Sequence, residues 1–392
     1  MTAGSPNSAP GPVRPRRTPL LIRAVFGIAL IFTLIGLVES GFRVANLLSG
    51  GLIAARLTPD LELGIRSWTI HHAMRPGWIN PASPTNSFGL RSPEVAVPKP
   101  AGTYRILLLG DSFTFGFQAA DDVVFARKLE QRLRASGFSS VEVVNAGVLS
   151  YCPLLEYLQY RHNLHVLEPD LVILNFDMSD VQDHLEYSRD LVSSPDGVPL
   201  YVTEPSLKTP PSWRLLSFQW VAKHVTAARR RTESAAEGVP FARDQDRYIW
   251  ALDNGPEMDK EVQSTLAPIV NLKDLLAHNS IPLLLATYPQ PWQVSVDATP
   301  LPPIREQYAI GMNTVHLNDR SFRKVAAFAA AHAIPFVNAT SAFRQDPKPA
   351  SLFLASDFHF TARGHDLYAK VLADYLVEHA LVGSARKPTP AR

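Results

Sequence analysis

Cysteine is all but missing from this chain. Cys152 stands alone among 392 residues, which excludes an internal disulfide and any metal site built on several thiolates. Just before a helical stretch, it reads as a buried structural thiol. Charge of one sign is missing as well. The net charge is +2 and charged residues make up 19% of the chain, without the basic excess of a nucleic-acid binder. Basic runs are short, and Arg229-Arg230-Arg231 reads as the solvent-facing end of a helix, with a lipid headgroup or acidic glycan contact as its other reading. The histidines form no metal pattern. His71 and His72 are adjacent in an extended stretch, and His359 and His365 lack the His-x-x-x-His spacing of a helical site. No metal and no cofactor is implied.

Long apolar runs are absent except one. Residues 20–38 are apolar but for Arg23, Thr33 and two glycines, and nineteen helical residues span about 28 Å, close to a hydrocarbon core of about 30 Å. Arg14, Arg16, Arg17 and Arg23 precede or open the run, and Glu39 and Arg43 follow it. That bias predicts an N-terminus in the cytoplasm and the rest outside. A cleaved signal peptide is the rival reading; against it, the run is long for one and Val38-Glu39-Ser40 is a poor small-x-small cleavage site. The expected organisation is a disordered tail over 1–19, an anchor over 20–38, and a juxtamembrane helix with a proline-rich linker over 39–103. A catalytic-sized domain over 104–382 and a short tail over 383–392 complete it.

Within that domain, strand and helix patterns alternate. Apolar runs at 104–109, 141–145, 171–176, 282–287 and 335–338 predict five strands. Stripes at three- and four-residue spacing predict helices over 123–135, 154–164, 262–278, 320–332 and 363–381. Such alternation predicts a doubly wound α/β fold, a five-stranded parallel sheet in a three-layer α/β/α sandwich. Residues 181–261 interrupt the rhythm with prolines that include Pro199, Pro205, Pro210 and Pro211, with Trp213, Trp220, Trp250 and one helix pattern over 215–230. This insertion reads either as a lid or substrate wall or as a packed subdomain.

Gly110-Asp111-Ser112 directly follows the run Ile106-Leu107-Leu108-Leu109. A sharp turn there would put Ser112 near a helix start, where unpaired N–H groups favour a developing negative charge. A serine hydroxyl is a poor nucleophile without a base, and the base needs a partner to fix its tautomer. Asp357-Phe358-His359, just before the last helix, supplies an acid and a base two residues apart. Ser112, His359 and Asp357 can fill the three roles if the sheet brings both loops together.

These motifs resemble those of the SGNH (GDSL-type) hydrolases over roughly residues 104–382, with Gly110, Asp111 and Ser112 as the first block. The resemblance implies a flavodoxin-like sheet and an oxyanion hole made by the N–H groups of Ser112 and Gly147, the latter in Asn145-Ala146-Gly147. Asp357 and His359 match the last block, with the shorter of two spacings. The third block departs from the pattern: Ser179 stands where the family has Asn, followed by Asp180 as expected, and Asn175 is the other candidate for the third donor. Asn86-Ser87-Phe88-Gly89-Leu90-Arg91 recurs in membrane-anchored members, and packing of the linker onto the domain is its expected role. The resemblance further implies an esterase acting on O-acyl, chiefly O-acetyl, groups of an extracytoplasmic glycan or a small acyl ester. It leaves open an O-acetyltransferase using the same triad, a non-catalytic glycan-binding scaffold, and polysaccharide-assembly proteins as partners.

Overall fold

The computed structural model describes residues 20–48, 64–79, 83–205, 246–298 and 300–383. The tail over 1–19, the helix pattern over 215–230, Arg229-Arg230-Arg231 and nearly all of the C-terminal tail lie outside these. The chain divides into two compact units. In the first, the described residues form one helix, α1 (Leu20–Leu48). Its stretch Val25–Ala45, 21 residues at a mean hydropathy of 2.1, is long and apolar enough to cross a membrane, a property that an anchor and a signal sequence share.

The second unit begins with two short antiparallel strands, β1 (Gly64–Arg66) and β2 (His72–Met74). Then come β3 (Tyr104–Leu109), α2 (Ser112–Phe115), α3 (Phe125–Ala135), β4 (Val141–Asn145), α4 (Pro153–Gln159) and β5 (Leu171–Phe176). After α5 (Asp180–Tyr187), the strands β6 (Leu191–Ser193) and β7 (Pro199–Val202) pair antiparallel. The chain closes with α6 (Asp259–Ala277), β8 (Leu283–Thr287), α7 (Pro302–Gln307), α8 (Arg320–Ala331), β9 (Phe336–Asn338), α9 (Thr340–Arg344) and α10 (Ala362–Glu378).

The main sheet has five strands in the order β4-β3-β5-β8-β9, every neighbouring pair parallel. Period-2 alternation on buried strands explains the layers. Leu107, Leu109, Val172, Leu174 and Leu285 join a core on one face with α4, α6 and α8. Ile106, Leu108, Ile173 and Leu284 join the opposite core with α3 and α10. The result is the doubly wound three-layer fold expected. Its order reverses between β3 and β5, so a crevice opens at their carboxyl ends, where such sheets bind ligands.

Local differences from the sequence reading have simple causes. Strands β8 and β9 start one residue after Pro282 and Pro335, which have no N–H to donate. The helix expected over 154–164 changes at Gln159 into one π-helical turn (Tyr160–Leu164) and a 3₁₀ turn, ending on Glu168 with φ 50°. The proline-rich stretch is not a free spacer: Ile70, Met74, Leu90 and Val95 are buried in the first core.

Candidate active site

Glycine makes the turn after β3 possible. Gly110 has φ 154°, and a Cβ there would meet Thr114 Oγ1 at 2.1 Å. Asp111 then caps the helix, its carboxylate accepting the N–H of Phe113 at 2.9 Å. Ser112 opens α2, and the turn closes when the N–H of Gly116, at φ 83°, donates to Ser112 O. From this position Ser112 Oγ lies 2.8 Å from His359 Nε2, across 247 residues of sequence.

Phe353 and Phe360 form an antiparallel bridge, and the loop between them presents the other two groups. His359 Nδ1 sits 2.8 Å from Asp357 Oδ1. The same oxygen accepts the Phe358 N–H at 2.5 Å, while Oδ2 accepts Gln118 Nε2 at 2.7 Å. Burial alone would raise the Asp357 carboxyl. The hydrogen bond and charge of His359, with the N–H groups of Phe358 and His359, outweigh it and hold the carboxyl below its ordinary value. Phe113 and Phe358 pack against the imidazole with centroids at 4.7 and 4.6 Å, which fixes its plane. The two-residue spacing of acid and base therefore closes a hydrogen-bonded chain from Asp357 to Ser112.

Gly147 is a different matter. Its N–H is donated to Asn145 Oδ1 at 3.0 Å, and it does not line the cleft above Ser112. A Cβ on it would come within 2.3 Å of the Phe115 nitrogen. It is glycine because the turn of α2 packs against its backbone. Three residues on, Ser150 does line the cleft, held in the left-handed region at φ 58°. Asn175 lies away from the cleft: its amide donates to Leu109 O at 2.8 Å and its oxygen accepts the Tyr368 hydroxyl at 2.7 Å, all buried.

Ser179 lines the cleft, but its N–H is donated to Asp177 Oδ1 at 2.7 Å and its hydroxyl bonds to the same carboxylate. Asp180 accepts the Asp177 N–H at 3.1 Å. Beneath the site, Asp111, Glu156, Asp177, Asp180 and Asp183 are all buried. Burial raises every one of their carboxyls. Asp183 reaches about 7, even with Arg247 drawing it down, both of its oxygens lying 2.9 Å from Arg247 Nη1.

The cleft has a volume of about 230 Å³ and is walled by Phe117, Tyr248, Tyr308, Phe358, Leu149 and the Asp183–Arg247 pair. The described part of the insertion thus both walls the cleft, with Arg247 and Tyr248, and packs, with buried Trp250 donating to Met178 O at 2.7 Å. A larger groove of about 590 Å³ between α6 and α8 holds no nucleophile paired with a base. Among the described residues no group of three His, Cys, Asp or Glu side chains could hold a metal ion. His71 and His72 bond to each other, and His72 Nε2 lies 2.8 Å from Leu149 O. His365 is buried beside the Phe125 N–H, and burial pushes its imidazole down to about 3. Cys152 is buried, its thiol pushed up by burial. Gln118, Ser150, Arg247 and Tyr308 carried no motif. The aromatic content of the insertion hinted at such walls.

Residues 108–367 match the family described as "GDSL-like Lipase/Acylhydrolase family". No curated protein matches the chain. Among solved structures, a lipase/acylhydrolase from Enterococcus faecalis aligns at 15% identity, covering 73% of this chain and 100% of its own, with a TM-score of 0.38. An acetylxylan esterase from Geobacillus stearothermophilus aligns at 15% identity over 71% and 94%, TM-score 0.37. A GDSL-like lipase from Bacteroides thetaiotaomicron aligns at 14% identity over 70% and 88%, TM-score 0.35.

Proposed function

The chain belongs to the GDSL-like lipase/acylhydrolase family and is a serine ester hydrolase; from that premise we propose that it removes small acyl groups, chiefly acetyl, from an extracytoplasmic glycan. Ser112 Oγ attacks the acyl carbonyl while His359 Nε2 takes its proton, and Asp357 holds Nδ1–H and stabilises the imidazolium. The alkoxide leaving group then departs with that proton. Water, deprotonated by the same imidazole, attacks the acyl-enzyme, releases the acid and restores Ser112. The N–H of Ser112, at the start of α2, serves the oxyanion.

The observation that carries this reading is the hydrogen-bonded chain Asp357–His359–Ser112, at 2.8 Å per link. A cleft of about 230 Å³ suits a short acyl group. The Phe117 ring beside the Asp183–Arg247 pair offers a sugar ring a face to stack on and polar groups for its hydroxyls. A glycan hydroxyl accepting the acyl group in place of water would make the same acyl-enzyme a transferase.

In detergent, the full chain is expected to hydrolyse short-chain aryl esters and to take up a serine-directed phosphonate, and Ser112→Ala to abolish both. Phosphonate labelling that persists in Ser112→Ala overturns the assignment. Acylated oligosaccharide formed from an acyl donor and a free glycan would distinguish transfer from hydrolysis.

A further inference from the structure

Residues 86–92 fold into a turn that reaches the nucleophile. Asn86 Oδ1 accepts the N–H groups of Phe88 and Leu90 at 2.9 and 3.0 Å, and its amide donates to Pro93 O at 3.0 Å. Gly89 has φ 76°, and a Cβ on it would meet Met74 O at 2.5 Å, so the turn needs glycine there. Leu90 anchors the turn in the core. The next residue, Arg91, is directed inward, its side chain fully buried.

Its guanidinium spans the end of the loop that Ser112 begins. Nη1 donates to Phe115 O at 3.0 Å and to Gly116 O at 2.5 Å, and Nη2 donates to Ala119 O at 2.6 Å. Asp121 lies 3.7 Å away and offsets the charge, and the Phe115 ring stacks on the guanidinium at 5.0 Å. Neighbouring Ser92 accepts the Asn145 N–H at 2.8 Å, and the Asn145 amide in turn holds Thr114 O at 2.7 Å. Two consecutive residues therefore pin the nucleophile loop and the carboxyl end of β4. The pinned stretch carries Ser112 at its start and Gln118, the partner of Asp357 Oδ2, near its end.

We infer that Arg91 is a positioning residue for ester cleavage: its fork of donors holds the loop 112–119 so that Ser112 meets His359 while Gln118 meets Asp357. This inference rests on Ser112 being the nucleophile. An apolar side chain of similar volume could fill the space but would take the side-chain donor from the buried Phe115 and Ala119 carbonyls, Gly116 O keeping only the Ala119 N–H, and the loop would relax toward water. Lysine keeps the charge and loses the planar fork that bridges separated carbonyls.

A second buried arginine supplies a control. Arg105, in β3, is also buried and donates to Leu167 O and Ala96 O, but from the end of the strand away from Ser112. In detergent-solubilised full chain, Arg91→Ala is expected to lower kcat for a short aryl ester by up to about 100-fold, with KM within about twofold. Added methylguanidinium should restore at least about tenfold of that loss without affecting the wild type. Phosphonylation of Ser112 should slow in parallel. Arg91→Lys should lie in between, and it carries the test alone if Arg91→Ala does not accumulate. Arg105→Lys should lower the melting temperature and leave kcat per folded molecule unchanged. Folded Arg91 variants with wild-type kcat overturn the inference. So does a loss that tracks the melting temperature equally in the Arg91 and Arg105 variants and resists methylguanidinium. A wild type that neither hydrolyses esters nor takes the label at Ser112 overturns the functional reading instead.

Discussion

At the scale of single residues, Ser179 shows how a proton count decides a role. A hydroxyl has one proton, and that of Ser179 is engaged by the Asp177 carboxylate, whose other oxygen accepts Gln290 Nε2 at 2.5 Å. Ser179 cannot donate to Asp177 and to an oxyanion together. Ser179→Ala is therefore expected to cost less than about tenfold in kcat, well short of the 10²–10³ typical of a lost oxyanion donor. Steady-state kinetics on an aryl ester check this. A fall of about 100-fold or more in kcat, with KM unchanged, would show that the hydroxyl turns to the transition state. The Ser–His–Asp trio was legible in sequence because its residue types are chemically rare together and sit at element boundaries. Gly147 was less legible for the converse reason, since glycine at such a turn serves close backbone approach as readily as an exposed N–H.

At the scale of elements, all five central strands were legible because strands buried on both faces leave unbroken apolar runs such as 104–109 and 171–176. The π turn after α4 was not, since nothing local marks a change of helical period inside a buried stripe. Nor was the buried acidity behind the site, which arises only when α4 and α5 pack beneath the turn of α2. There Glu156 is completely buried, and neither carboxylate oxygen has a hydrogen-bond partner among the described residues. Burial first, and then the charge of Asp111, pushes its carboxyl well above the ordinary 4.5; Asp180, also raised, faces Glu156. In the folded state Glu156 keeps a proton that the unfolded chain gives up near 4.5. Its stability contribution is thus full below that pH and shrinks as pH rises toward the raised value. Glu156→Gln removes this dependence and brings an amide donor to acceptors such as the unpaired Asp180 Oδ1. Thermal melts should show the variant losing less stability than the wild type between about pH 5 and pH 8. It should be at least as stable at the upper end. Parallel curves would mean that Glu156 is not the group being titrated.

At the scale of the whole molecule, the question is on which side of a membrane the cleft works. Helix α1 runs 29 residues, about 44 Å at 1.5 Å per residue, longer than the hydrocarbon core. Its apolar stretch Val25–Ala45 exceeds the roughly 7–15 residues of a signal-peptide core. Arg14, Arg16, Arg17 and Arg23 lie before or at its start, against Arg43 near its end and Arg56 beyond it, and Arg43 is paired with Glu39 at 2.8 Å. Positive charge is retained in the cytoplasm, so the expected topology is N-in with the ester-cleaving unit outside. The substrate proposed above is an exported glycan, so the topology and the substrate proposal stand or fall together. The apolar stretch continues through Val38-Glu39-Ser40 without a small-x-small site, which predicts that α1 is retained as an anchor. A phosphatase that folds only after export, fused behind Arg392, should be active, and a cytoplasm-dependent fluorescent reporter at the same place dark. The mature protein should keep its N-terminus and stay with the membrane after a high-salt wash. An N-terminus found beyond Val38 would make α1 a cleaved leader, and a bright cytoplasmic reporter would place the cleft on the side where no exported glycan can reach it.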